Sequence, residues 1–286
     1  MKIKQEKIKT LLDALPYIKE FSGKIVVVKY GGSAQTSPEL QEKFAQDITL
    51  LQLTGIKPIV VHGGGAKISG MLNKLNIKSE FVDGHRVTCK DSMKVVEMVL
   101  SGDINKNITS LLNHHGAKAI GISGKDSNCI EAIAKDNGKF GYTGAVTSVN
   151  SDMILDLIEE GFIPVIAPIA DSAEPNHPGF NINADLAASK IAESLDATKV
   201  LFMTDITGVL DKEKNLLSTL TKEQIDSYKA DETIFGGMIP KVDACLEAIE
   251  GGVDKAHIID GRIEHSLILE LFTCEGVGTV IKKKVT

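Results

Sequence analysis

The chain has 286 residues, 43% of them apolar, enough for a substantial core in one large domain or two lobes. Its net charge of −6 at pH 7 argues against general nucleic-acid binding, which calls for a basic surface. Cys89, Cys129, Cys245 and Cys274 form no C-x-x-C pair, and no apolar run approaches the ~18 residues that span a bilayer; a disulfide scaffold, a zinc site and a membrane protein are set aside, and a reducing cytoplasm is expected.

Residues 3–21 come first. Ile8, Leu11, Leu12 and Leu15 fall on one helical face, and Pro16 then interrupts or kinks the run. This face either packs on its own chain or serves as an arm on another subunit, and spacing leaves both readings open. The charges throughout exclude a secretory signal. An apolar run at 25–28 then ends in Lys29, Tyr30, Gly31 and Gly32. Glycines after a strand offer backbone amides to an anion, and a lysine beside them suggests phosphate. The lysine precedes the glycines, whereas a P-loop has it after them.

Leu40, Phe44, Ile48 and Leu51 make a helical stripe, and a second apolar run at 59–61 ends in His62, Gly63, Gly64 and Gly65. Another stripe follows at Ile68, Met71 or Leu72, and Leu75. Either glycine loop alone could be a tight turn; two loops, with Lys29 beside the first, favour an anion site. In "GHRVT" at 84–88, Arg86 has the fork that suits a carboxylate, although a lone arginine more often makes a surface ion pair. His85 reads as structural.

Apolar runs recur at 119–122, 163–166, 200–203 and 257–259, and the polar, proline- and glycine-containing stretch 171–180 suggests a lobe boundary. In "NINADLAASKIAESL" at 181–195, Asn183 or Asp185 could cap a helix whose apolar stripe is Ala188, Ile191, Ala192 and Leu195. The same cluster could orient charged groups. Lys241, just after Gly236 and Gly237 at a helix start, conflicts with the helix dipole unless an anion lies nearby.

Strands that do not alternate with polar residues, separated by helical stretches, predict an α/β sandwich around a mainly parallel sheet. Ligands of such sheets bind at the carboxyl ends of the strands, where Lys29 to Gly32, His62 to Gly65, and Thr204 with Asp205 converge. There is no G-x-S-x-G to accompany the "HGGG" stretch and no dinucleotide or Walker fingerprint. Two lysines and two amide-rich loops without a nucleophilic triad point to charge stabilisation, the chief demand of phosphoryl transfer.

These stretches together resemble the amino acid kinase family, over essentially the whole chain. The motifs are "VVKYGGSA" at 27–34, "VVHGGGAKI" at 60–68, "DGHRVT" at 83–88, "NINAD" at 181–185, "TDITGVLD" at 204–211 and "GGMIPKV" at 236–242. "GHRVT" with "NINAD" is most similar to the branch that phosphorylates N-acetyl-L-glutamate with ATP in arginine synthesis. The resemblance implies a three-layer sandwich in two lobes, 23–178 for the acyl amino acid and 179–286 for ATP, with residues 1–22 as an oligomerisation arm. It implies that Lys29 and Lys241 stabilise the transferring phosphoryl group and that Asp185 holds both lysines. It assigns Gly31, Gly32 and Gly63 to phosphate, and Gly64, Gly65, Arg86 and Asn181 to the acyl amino acid, with Arg86 on its α-carboxylate.

Mg²⁺ would ride on the ATP phosphates, with no metal held tightly by the protein itself. Members that carry such an arm form hexamers as trimers of dimers and are inhibited by L-arginine. Glu270 and Gly276 in "LELFTCEGVGT" match positions near that inhibitor site. The same resemblance leaves a kinase of free glutamate, or a non-catalytic amino-acid sensor of this fold, as rivals; retention of both lysines weighs against the sensor.

Overall fold

The apolar runs become strands because β-branched side chains suit a pleated surface covered on both faces. A computed structural model of the chain describes residues 2–82, 84–274 and 276–283. Asp83, Glu275 and the side chain of Leu11 lie outside the described residues. The first part runs α1 (Lys2–Phe21), β1 (Ile25–Tyr30), α2 (Pro38–Leu53), β2 (Lys57–His62), α3 (Gly65–Lys74), β3 (Glu80–Val82), β4 (His85–Val87) and α4 (Lys90–Glu97). A π-helical segment (Met98–Ile104) leads straight into α5 (Asn105–His114), followed by β5 (Ala119–Ser123), β6 (Ile130–Ala134), β7 (Gly144–Val149), α6 (Asp152–Glu159) and β8 (Ile163–Ala167). The remainder comprises β9 (Ile169–Ala170), β10 (Phe180–Asn181), α7 (Ala184–Ser194), β11 (Lys199–Thr204), β12 (Thr219–Leu220), α8 (Lys222–Ala230), α9 (Ile239–Glu250), β13 (Lys255–Asp260), α10 (Ser266–Phe272) and β14 (Thr279–Lys282).

The main sheet has eight strands in the order β12-β14-β13-β11-β1-β2-β8-β5. From β13 to β5 every pairing is parallel; β14 runs antiparallel to β13 and parallel to β12. From β1 the chain passes to β2 on one side, while β11 later pairs on the other. The order therefore reverses at β1, and a crevice opens at the carboxyl end of such a switch point.

Alternation along β1 feeds two cores. Val27 joins Ile59, Ala188, Ile191, Val242 and Leu246 on the face covered by α7 and α9. Val26 and Val28 join Phe44, Ile48, Ile68, Leu72 and Leu267 beneath α2, α3 and α10. Helices on both faces of a mostly parallel sheet give the expected three-layer α/β sandwich.

The two readings of α1 divide along its length. Its end is fastened, with Phe21 buried and Tyr17 and Ile18 packed beside it. Its earlier apolar side chains are not covered by their own chain: Ile8 is 58% exposed, Leu12 60% and Leu15 41%. Among the described residues no helix is long and apolar enough to cross a membrane.

Candidate active site

At the carboxyl ends of β1 and β2 the structure opens a cleft of about 520 Å³. Its walls include Lys29, Gly31, Gly32, all three glycines at 63–65, Arg86, Asn181 and Asp185. Lys241 is outside the lining and joins the constellation through Asp185.

Asp185 sits in the first turn of α7, where helix geometry favours an anion. Asn183, rather than Asp185, caps that helix: its side-chain oxygen accepts from the amides of Asp185 at 2.8 Å and Leu186 at 3.3 Å. The Asp185 carboxylate is thereby released to the lysines. Lys29 Nζ lies 2.9 Å from its Oδ1 and Lys241 Nζ lies 3.8 Å from its Oδ2. Burial pushes the Asp185 pKa up, but Lys29 and Lys241 pull harder and hold it below the ordinary value of 3.8. A charged Asp185 also answers the dipole conflict of Lys241, which stands in the first turn of α9.

The loop after β1 is built around glycine. Gly32 has φ +69°, a conformation that costs a side chain energy, and a Cβ there would lie 2.5 Å from Asp205 Oδ1. Asp205 approaches so closely because its Oδ1 accepts from Ser33 N at 2.6 Å and Ser33 Oγ at 2.7 Å. Gln35 Nε2 donates to Gly63 O at 2.9 Å and so links the two glycine loops.

Arg86 is buried, not a surface ion pair. Its Nη2 donates to Gly65 O at 3.0 Å and Ser69 Oγ at 2.9 Å, and its Nη1 donates to Ser79 Oγ. Phe81 from the β3–β4 hairpin lies 4.6 Å from the guanidinium. Burial lowers the Arg86 pKa, yet an arginine stays charged at neutral pH. A buried cation with no carboxylate among these partners suits an anionic ligand. Asn181 Nδ2 donates to Thr88 Oγ1 at 3.2 Å, which fixes its amide at the other wall.

Ser33, Gln35, Ser69, Ser79 and Asp205 were not singled out from the sequence as contacts of these groups. Asp205 alone had a signal, at the end of an apolar run. Among the described residues, no group of three or more histidines, cysteines, aspartates or glutamates is placed to hold a metal ion.

Glu270 and Gly276 lie elsewhere, at a second cleft of about 510 Å³ between the end of α1 and the β13–β14 edge. Tyr17, Glu20, Lys199 and His257 also line it. The Glu270 carboxylate accepts from His257 Nδ1 at 2.5 Å and from Val277 N at 2.7 Å. Burial lowers the His257 pKa, so the ring is neutral, and its Nε2 is buried without a hydrogen-bond partner.

Comparison with known proteins gives a consistent result. The amino acid kinase family profile matches residues 24–260. An acetylglutamate kinase of Aliarcobacter butzleri is 68% identical over 273 residues, covering 96% of this chain and 91% of that one. An acetylglutamate kinase of Sulfurimonas denitrificans is 64% identical, covering 98% of this chain and 99% of that protein. In fold, the chain superposes with TM-score 0.85 on an N-acetylglutamate synthase from Neisseria gonorrhoeae solved with coenzyme A and N-acetyl-glutamate. Identity there is 24%, over 98% of this chain and only 64% of the synthase.

Proposed function

This chain belongs to the amino acid kinase family, in the branch of the acetylglutamate kinases, and we propose that its cleft transfers the γ-phosphoryl of ATP to the side-chain carboxylate of N-acetyl-L-glutamate. Its role is that of a kinase in arginine biosynthesis, and the product is N-acetyl-L-glutamyl 5-phosphate. The observation that carries the reading is Asp185 between Lys29 and Lys241, at 2.9 and 3.8 Å, beside two glycine loops.

The nucleophile is a carboxylate with a solution pKa of about 4.3, ionised at pH 7, so no general base is required. The barrier is repulsion between two anions. Lys29 and Lys241 offset it as charge spreads over the transferring oxygens, and Asp185 keeps both ammoniums in place without touching the phosphoryl group. The amides of Gly31 and Gly32 face phosphate oxygens; contrary to the expectation from sequence, the Gly63 amide donates to Tyr30 O at 2.8 Å and is taken up by the pairing of the two strand ends. Gly64, Gly65 and Asn181 hold the acyl amino acid, and Arg86 takes its α-carboxylate. Mg²⁺ bound to the triphosphate would neutralise part of its charge, and Lys29, Lys241 and the amides of the loop after β1 are suited to hold such a complex. ATP occupies the lobe 179–286 and the acyl amino acid the lobe 23–178. ATP-dependent acyl phosphate, trapped with hydroxylamine, tests the assignment.

The second cleft supports regulation by L-arginine. Glu270 offers a carboxylate to a guanidinium, the bare Nε2 of His257 offers a neutral acceptor, and Lys199 offers an ammonium to an α-carboxylate. Exposed Ile8, Leu12 and Leu15 support an arm that packs on another subunit, joining dimers into a hexamer. Four free thiols fit a cytoplasmic enzyme.

A further inference from the structure

We propose that Asn105, delivered by the π-helical segment before it, is the positioning residue of the substrate-side glycine loop and holds His62 as the neutral Nδ1–H tautomer. The inference rests on the reading above that residues 63–65 face the acyl amino acid.

The helix from Lys90 to His114 widens into a π-turn at Met98–Ile104 before α5 begins. Such turns are rare and are found frequently at functional sites. Here four side chains reach the loop and the residues flanking it, from that one segment and the residue after it. Leu100 and Ile104 press on Gly64, where a Cβ would stand 2.6 and 2.5 Å from their methyl groups. Asp103 pairs at 3.2 Å with Lys67 in the first turn of α3. Asn105, the first residue after the π-turn, is fully buried across the carboxyl ends of three strands.

Its Nδ2 lies 2.8 Å from Val165 O, 3.1 Å from Ile122 O and 3.2 Å from His62 Nε2. Two backbone carbonyls fix which end of the amide points there, since a flipped amide would set oxygen against oxygen. The two hydrogens of Nδ2 are shared among three acceptors and its nitrogen accepts none, so an N–H at His62 Nε2 would have no partner there and Nε2 stays bare. On the other side of the ring, Nδ1 is 3.1 Å from Gly63 O, an acceptor only, so Nδ1 carries the proton. A second proton would turn Nε2 into a donor facing donors, and burial already pushes the His62 pKa down to about 4. Lys106 completes the support, with Nζ 3.1 Å from Asn105 Oδ1 and 2.6 Å from Gly121 O. Neither Asn105 nor His62 lines the cleft, so both act through the loop that follows His62.

The test combines nitrogen-15 NMR of the imidazoles in the full chain with steady-state kinetics for each substrate in turn. Wild type is expected to show neutral His62 protonated at Nδ1 down to about pH 5. Asn105→Ala is expected to lose that fixed tautomer and to raise KM for N-acetyl-L-glutamate at least tenfold, with KM for ATP changed less than twofold. Leu100→Ala, which frees the loop while leaving the buried amide intact, is expected to raise the same KM severalfold and to keep the tautomer. It decides the case should Asn105→Ala not fold. A wild-type His62 protonated at Nε2 overturns the proposal. So does a folded Asn105→Ala with unchanged constants, or with both KM values raised alike, or a Leu100→Ala with neither changed. An inactive wild type sinks the kinase reading, and the proposal is then decided by the tautomer alone: Nδ1–H in wild type and lost in Asn105→Ala upholds it, and no change in the variant overturns it.

Discussion

In the proposed reaction, Lys29 is the residue on which the chemistry turns. It reaches the cleft as the fifth residue of a buried strand, with little freedom to move, and its ammonium is already aimed by Asp185. Lys29→Ala is expected to lower kcat roughly a hundredfold or more, the scale seen when one transition-state donor is removed, with KM for N-acetyl-L-glutamate changed far less. A large KM increase with kcat preserved would instead mean ground-state binding. Lys199 bears on the proposed regulation by arginine. Burial above all, and then Lys255, pull its pKa down to about 8 against the opposing pull of Glu270 and Glu20. A bound α-carboxylate favours the ammonium, so arginine binding takes up a proton between about pH 8 and the ordinary lysine value of 10.5. Inhibition should therefore weaken as pH rises past about 8, and Lys199→Met should flatten that dependence; concentration–response curves at pH 7 and 9.5 check both. For the unliganded protein the depressed pKa makes stability rise over the same interval, because the unfolded chain there holds a proton that the folded chain has lost.

At the scale of elements, the glycine loops carry the strictest constraint. Gly32→Ala places a side chain at φ +69° and 2.5 Å from Asp205, and should cost about 1–2 kcal/mol from the backbone alone, together with most of the activity. Urea unfolding beside turnover measures both; an active, fully stable variant would show that this loop relaxes freely. The strands and the loops that end them were readable because continuous apolar runs followed by glycine are a local pattern. Asn183 could be suspected as a cap from position alone, and Arg86 from its fork. Asn105 could not: it stands between "GHRVT" and the apolar run at 119–122 in a stretch without a motif, and a π-turn there shifts the spacing by which helix faces are assigned. Likewise Ser33 with Asp205, 172 residues apart, and Arg86 with Ser69 and Ser79 are meetings that only the folded sheet arranges. Sequence spacing is silent on such partners because it reports periodicity within an element, not which elements meet.

For the whole molecule, the switch in strand order at β1 explains why both lysines, both glycine loops and Asp205 gather at one end of the sheet. It also leaves α1 at a distance, fastened at Phe21 and exposing apolar residues farther out. Removing residues 1–15 from the proposed hexamer should leave a dimer by light scattering, with turnover retained and the proposed arginine inhibition lost; a truncated chain that assembles as the full chain does would remove the arm from the account. The central claim is phosphoryl transfer to N-acetyl-L-glutamate by a lysine clamp, and hydroxylamine trapping of ATP-dependent acyl phosphate meets it most directly. Wild type and Lys29→Ala would be compared on N-acetyl-L-glutamate, free glutamate, aspartate and acetate. The predicted result is product with N-acetyl-L-glutamate alone, nearly absent in the variant. Product from free glutamate instead, or a variant as active as wild type, would contradict it.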